Sequence, residues 1–263
     1  MVNPFTDKFL ERIQYQGSPN VTFADLPALQ FQFAKTVPFE NIDIMVQKNE
    51  DLTLENIRKK IIDQKRGGVC YELNPLFYSF LKQQGFDVRM VAATIVHDQD
   101  HHDLVGTHIT TLLTQEENRY IVDVGFGGNH ALQPIPMTGE TVTSLTGEYR
   151  IREVQTPFGE YAMQKYRDGK LDIQYIFSTE PIDEAHLNMA KDRITDHTDS
   201  PFNKSVLLNK LTDDGSITLT NQSFTITRNN RKTRQEVDRD LFKQLCEHRF
   251  GIPMTEKMLQ LLV

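Results

Sequence analysis

The sequence predicts an α+β fold, and three features of it carry that prediction. Before Gly85, apolar residues recur at helical spacing. From Phe86 onward the chain alternates β-branched and polar residues in runs joined by short turns. The last third mixes both patterns, and no repeat, low-complexity run or sharp change of composition marks a linker. Sequential strands with short turns suggest an antiparallel barrel or a curled sheet. At 263 residues, 38% of them hydrophobic, the chain can bury a substantial core.

In order, Thr6-Asp7 are placed to cap a helix carrying Phe9, Leu10 and Ile13, and Thr22 to Asp25 start another with Leu26, Leu29, Phe31 and Phe33. Pro38 pushes Val37 away from helix, so Val37 to Ile42 either resumes a helix or runs extended. Thr53 to Ile62 is a helix with an apolar stripe at Leu54, Ile57 and Ile61. A further helix starts near Cys70, tolerates Pro75 as a first-turn residue, and stops at Gly85. Strands are expected over Phe86–Val96, Thr107–Thr114, Arg119–Val124, Gly147–Val154, Tyr161–Tyr166 and Leu171–Phe177, with Gln115 to Asn118 and Asp168-Gly169 as hairpin turns. Ile182 to Met189 reads as a short helix. Ser205–Leu208, Ser216–Thr220 and Ser223–Thr227 read as strands, and Asp238 to Phe250 as a helix.

The net charge of -7 argues against nucleic acid as the main partner. No apolar run approaches a membrane span, and Met1 to Phe5 lack the basic flank and apolar stretch of a signal peptide. A cytoplasmic protein is the expectation. The 2 cysteines, Cys70 and Cys246, sit in dissimilar contexts and do not suggest a disulfide scaffold.

The segment Lys65-Arg66-Gly67-Gly68-Val69-Cys70-Tyr71-Glu72-Leu73-Asn74 organises the chain. Two glycines accept positive φ and leave room for a ligand to approach. Behind them Cys70 lies where a loop becomes a helix. There the macrodipole and free N–H groups draw a thiol toward the thiolate, the nucleophilic form. A small residue buried at a helix start is the plainer reading. A nucleophile needs a base, and the base needs an orienting group. His108 opens one strand and Asp123 ends the next strand of a hairpin. Ends of neighbouring antiparallel strands lie side by side, so the two could meet with the Cys70 helix packed on that rim.

These residues also carry a family resemblance. Pro38-Phe39-Glu40-Asn41-Ile42, Arg66-Gly67-Gly68-Val69-Cys70-Tyr71-Glu72-Leu73-Asn74, Thr107-His108 and Asp123-Val124-Gly125-Phe126-Gly127 resemble the arylamine N-acetyltransferases in identity and order. Val69 departs from the family's usual aromatic residue and Leu73 from its common glutamine. The resemblance implies a helical bundle carrying the nucleophile over residues 1–86, an antiparallel β-barrel carrying the histidine and aspartate over 87–188, and an α/β lid over 189–263, with a core like that of papain-type cysteine proteases. It implies ping-pong transfer from acetyl-CoA through S-acetyl-Cys70 to an arylamine, arylhydrazine or N-arylhydroxylamine. His108 would move protons and Asp123 would hold its tautomer. Acetyl-CoA is then a substrate, and no cofactor is permanently bound.

The resemblance further implies a structural Glu40–Arg66 pair, an acceptor wall at Phe126 with Val96 beside it, and CoA contacts at Gly106 and Thr107. Gly125, Gly127 and Gly128 permit close backbone approach to a pantetheine arm or pyrophosphate. Backbone N–H groups near Cys70 and Gly68 are candidates for an oxyanion site. His97-Asp98-Gln99-Asp100-His101-His102-Asp103 imitates a metal site, but its spacing lacks the logic of one and it reads as a solvated loop. No metal is expected. Arg228 to Arg234 reads as a basic turn near a strand end. The competing functions are a cysteine hydrolase or thioesterase on the same triad, and a non-catalytic binder of acyl-CoA or a partner.

Overall fold

The computed structural model describes residues 4–48, 50–96, 104–167, 169–229 and 231–262. The chain begins with helices α1 (Pro4–Arg12) and α2 (Leu26–Thr36), the short strand β1 (Phe39–Glu40), and helices α3 (Ile42–Met45), α4 (Leu54–Arg58) and α5 (Cys70–Gln83). Thr6 and Asp7 lie inside α1, which has begun by Pro4, so they do not cap it. Thr53 does cap α4, accepting from Asn56 N at 3.1 Å. After Arg58 the expected helix widens into a π-type turn over 59–63. Pro75 falls in the second turn of α5, where it removes one backbone donor without ending the helix. Gly85, at φ 89°, terminates it.

The apolar faces of these helices form the first core around stacked phenylalanines. The Phe9 and Phe80 rings lie 4.0 Å apart, and Phe33 meets Phe77 edge-on at 5.5 Å.

Eight strands follow in the next layer: β2 (Asp87–Ile95), β3 (His108–Gln115), β4 (Asn118–Val122), β5 (Ile135–Pro136), β6 (Val142–Ser144), β7 (Gly147–Thr156), β8 (Gly159–Arg167) and β9 (Lys170–Pro181). They pair antiparallel in the order β5-β4-β3-β2-β9-β8-β7-β6. The sheet curls until β5 lies near β7, giving a nearly closed barrel. Inward residues such as Val91, Leu112, Ile121, Ile151, Met163 and Phe177 fill it. The opposite face of β3, through Ile109 and Leu113, joins the helical core. Alternation along β3 therefore serves two cores, which explains its burial on both faces.

Helix α6 (Glu184–Asp196) returns to the first core through Leu187, Ala190 and Ile194. It is longer than the helix expected there and runs through residue 188. Strands β10 (Leu207–Thr212), β11 (Gly215–Thr220), β12 (Ser223–Arg228) and β13 (Arg231–Glu236) make a second antiparallel sheet in the order β1-β10-β11-β12-β13. Helices α7 (Arg239–Leu245) and α8 (Glu256–Leu262) cover one face of it, burying Leu208, Ile217, Leu219 and Phe224. The segment expected as a basic turn is largely strand β13. All six of its residues are exposed, so apolar alternation could not reveal it, and its charges suit an unpaired edge. Among the described residues, no helix is long and apolar enough to cross a membrane.

Phe9 is 0% exposed and touches three other phenylalanine rings of the core. We expect Phe9→Ala to lower the unfolding free energy by about 3–5 kcal/mol in urea titration. A loss below about 1 kcal/mol would show that the stack collapses around the cavity.

Candidate active site

Cys70 is the first residue of α5 and is buried at 6% exposure. The Glu72 carboxylate accepts from Val69 N at 3.0 Å and so holds the helix start. The loop before it is pinned to β1, with Glu40 N donating to Gly68 O at 2.9 Å. Neither Gly67 nor Gly68 has positive φ; in this loop that conformation belongs to Lys65, at φ 56°. The glycines serve space instead. A Cβ on Gly67 would fall 1.9 Å from Pro38 O, so the room is taken by the protein's own backbone.

His108 and Asp123 meet as the hairpin geometry predicts. His108 Nε2 lies 2.7 Å from Asp123 Oδ2, with both residues buried. That leaves Nδ1 unengaged by Asp123, and His108 shares the wall of one cavity with Cys70, whose sulfur is near enough to favour the charged ring. Burial pulls the imidazole down, but the Asp123 charge, its hydrogen bond and the Cys70 sulfur outweigh burial and hold His108 up to about 10. Burial pushes the Asp123 carboxyl up, and His108, Asn74 and the Gly125 N–H more than reverse this and lower it. His108 also packs between aromatic rings, 5.3 Å from Phe126 and 4.9 Å from Tyr175.

Asn74 is the functional residue that sequence reasoning missed. It lies one helical turn after Cys70 on α5. Its amide nitrogen donates to Asp123 Oδ1 at 2.9 Å and to Ile109 O, and its oxygen accepts from Val124 N at 2.8 Å. One side chain thus ties the nucleophile's helix to the strand carrying the histidine and to the aspartate. Its signal was present in the i,i+4 spacing from Cys70. Gly125 permits this docking. A Cβ there would sit 2.9 Å from Cys70 Cα and 2.6 Å from Asn74 Nδ2.

Behind the cysteine, Glu40 and Arg66 pair at 2.7 Å. The pair belongs to a larger buried network: Arg66 also meets Asp43 at 2.9 Å, and Lys60 bridges Asp43 at 3.0 Å and Glu72 at 2.7 Å. Burial disfavours the Lys60 ammonium, yet the Glu72, Glu40 and Asp43 carboxylates hold it charged. Lys60 is the link from this network to the Glu72 cap.

Cys70 and His108 open onto a cavity of about 460 Å³ with mostly apolar walls, including Phe39, Ile95, Phe126 and Phe202. Thr107, Gly127 and Gly128 line it as well, and Thr107 O lies 3.7 Å from Cys70 Sγ. Gly106 does not line it; its N–H donates to Thr94 Oγ1 and its carbonyl meets His186 Nε2 at 2.8 Å. Ile95, rather than Val96, forms the wall. Strand alternation explains the correction, because Ile95 pairs with the inward Tyr175 and Val96 is one residue out of phase. Residues 97–103, the imitation metal loop, lie outside the described residues.

The sequence profile of the N-acetyltransferase family matches residues 22–259. The chain is 39% identical over 211 residues to YvcN of Bacillus subtilis (strain 168), an uncharacterized acetyltransferase, covering 80% of this chain and 83% of that protein. Its fold matches the crystal structure of arylamine N-acetyltransferase NAT3 from Bacillus cereus at a TM-score of 0.92 and 38% identity, covering 96% and 100% of the two chains. That enzyme is described as having a unique Cys-His-Glu catalytic triad, whereas the carboxylate on His108 here is aspartate. The Mycobacterium marinum arylamine N-acetyltransferase in complex with CoA matches at a TM-score of 0.87 and 25% identity, covering 97% of each chain.

The His108–Asp123 pair makes stability depend on pH with a definite sign. His108 is raised, so its contribution is complete below the ordinary imidazole value of about 6.5 and is lost as pH rises through about 10. Asp123 is lowered, so its contribution holds above the ordinary carboxylate range and is lost as pH falls through its folded value. We expect the stability advantage of wild type over Asp123→Asn, measured by urea unfolding, to shrink steadily between about pH 6.5 and pH 10. A constant advantage across that range would mean that His108 is not held charged by Asp123.

Proposed function

The chain belongs to the arylamine N-acetyltransferase family, and we propose that it transfers the acetyl group of acetyl-CoA to an arylamine, arylhydrazine or N-arylhydroxylamine through Cys70. The observation that carries this reading is the Cys70 thiol at a helix start, sharing the wall of a largely apolar cavity with a histidine that Asp123 holds at 2.7 Å. The CoA complex of the Mycobacterium marinum relative supports the donor.

In the first half-reaction His108 holds the proton of Cys70 while the sulfur attacks the thioester carbonyl. Gly68 N–H is engaged by Pro38 O at 3.3 Å, which directs the oxyanion role to the first N–H of α5, that of Cys70. The bond from carbonyl carbon to CoA sulfur breaks, and His108 returns the proton to the leaving thiolate. One thioester replaces another, so loading needs no further energy input. In the second half-reaction the amine nitrogen attacks S-acetyl-Cys70, His108 takes a proton from it, and the carbon–Sγ bond breaks to regenerate the thiol. Phe126 and Ile95 support an aromatic acceptor by their place on the cavity wall. Gly127 and Gly128 offer backbone to the pantetheine arm. The absence of a membrane-spanning helix among the described residues accords with a cytoplasmic site of action.

Steady-state CoA release should require both acetyl-CoA and an arylamine, with parallel double-reciprocal lines. Cys70→Ala should abolish turnover. Asp123→Asn should lower kcat/KM by about 10²–10⁴, because the asparagine amide favours the wrong imidazole tautomer. CoA release that continues at the same rate without amine would identify a thioesterase, and activity near wild type in Cys70→Ala would overturn the assignment.

A further inference from the structure

Val105, Gly106 and Thr107 present successive carbonyls just before His108. Arg193 Nη1 donates to Val105 O at 2.8 Å. His186 Nε2 lies 2.8 Å from Gly106 O, and since a carbonyl only accepts, that nitrogen is the donor. Both donors stand on α6, and their spacing of about two helical turns brings them to the same face. The peptide between them is fixed by Gly106, at φ 69°, whose N–H donates to Thr94 Oγ1 at 3.0 Å. Helix α6 is itself anchored in the first core by Leu187, Ala190 and Ile194. The third carbonyl, Thr107 O, lies 3.7 Å from Cys70 Sγ and accepts from the thiol. Thr107 and Cys70 are both buried, and both line the cavity.

Acetylation removes that donor. S-acetyl-Cys70 carries no proton on sulfur, and a buried carbonyl that loses its donor is costly. A primary amine approaching the acetyl group brings two N–H groups. As its nitrogen bonds to the acetyl carbon and the carbon–Sγ bond breaks, one proton passes to His108 and then to the sulfur. The other stays on nitrogen and is kept in the amide product. Thr107 O, beside the sulfur, is placed to accept it. A thiol acceptor differs. CoA attacking the acetyl-enzyme has one S–H, whose proton goes to His108, and brings nothing for Thr107 O.

We infer that Thr107 O accepts the N–H that the attacking amine keeps, and that His186 and Arg193 hold this carbonyl in place from α6. The inference rests on the acetyltransferase reading and deepens it: the held carbonyl favours transfer to an amine over return of the acetyl group to CoA. Thr107 O is the contacting group. His186 and Arg193 are positioning residues that act through the backbone of residues 105–107.

The test follows two fates of one acetyl-enzyme: transfer to aniline, and isotope exchange between acetyl-CoA and labelled CoA without amine. His186→Ala and Arg193→Ala should each lower kcat/KM for aniline by up to about tenfold, the size of one hydrogen bond, while exchange stays within about twofold of wild type. His186→Gln keeps a donor and should recover most of the loss. N-methylaniline has no N–H left once His108 takes its proton, so wild type should prefer aniline to it, and the preference should shrink in both alanine variants. Exchange that falls in step with aminolysis in variants of wild-type circular dichroism, or a preference for aniline that neither variant changes, overturns the inference. So does a wild type that uses the two amines equally well, an outcome that depends on no variant. In each of these cases the acetyltransferase reading stands. A wild type that neither exchanges label nor acetylates aniline brings down both readings.

Discussion

Asn74 joins two parts of the fold that have separate cores. It projects from the helix that begins with Cys70 and is bonded to Asp123, Ile109 O and Val124 N at the barrel rim. The nucleophile belongs to the helical core and the histidine–aspartate pair to the barrel hairpin, so their relative position depends on this docking. All four side-chain bonding sites around Asp123 and Asn74 lie in low dielectric, where a polar group left without its partner is costly. The register between α5 and β3 is therefore set by hydrogen bonding as well as by apolar packing. Gly125 is the steric condition for it, because a side chain there would occupy the space of Cys70 and Asn74.

A second constraint acts from behind the cysteine. Arg66 and Lys60 are shared among Glu40, Asp43 and Glu72, and the last of these caps α5. Such a network adds less to stability than its number of charges suggests, since each was taken out of water. Its value lies in geometry: the loop from Arg66 to Val69 is fixed at β1, at α3 and at the first turn of α5. Cys70 is thus held between a rim that supplies its base and a charged network that fixes its backbone.

The fold was legible where one periodicity serves one core. The first helices and the barrel hairpins announced themselves by apolar spacing and turn residues, and Cys70, His108 and Asp123 by their motifs and by strand-end geometry. Legibility failed where the cause is tertiary. Nothing local marks Lys60 as the partner of Glu72 or Asp43 as a third member of the Glu40–Arg66 pair, since these contacts join separate segments. The choice between Ile95 and Val96 turned on strand phase, which a run of apolar residues leaves open. Strand β13 has no apolar alternation to read, and the widening of the helix after Arg58 has no marker in composition. Gly67 and Gly68 are needed for space and not for positive φ: Gly67 admits the backbone of Pro38, and Gly68 the side chain of Glu72.

The most direct measurement is the intact mass of the protein after mixing with acetyl-CoA in the absence of an acceptor, for wild type and Cys70→Ala side by side. The account predicts a gain of one acetyl group on wild type alone, and its loss on adding an arylamine. A protein that gains no acetyl group, whether or not CoA is released, would contradict a covalent acetyl-cysteine intermediate and with it the transferase mechanism.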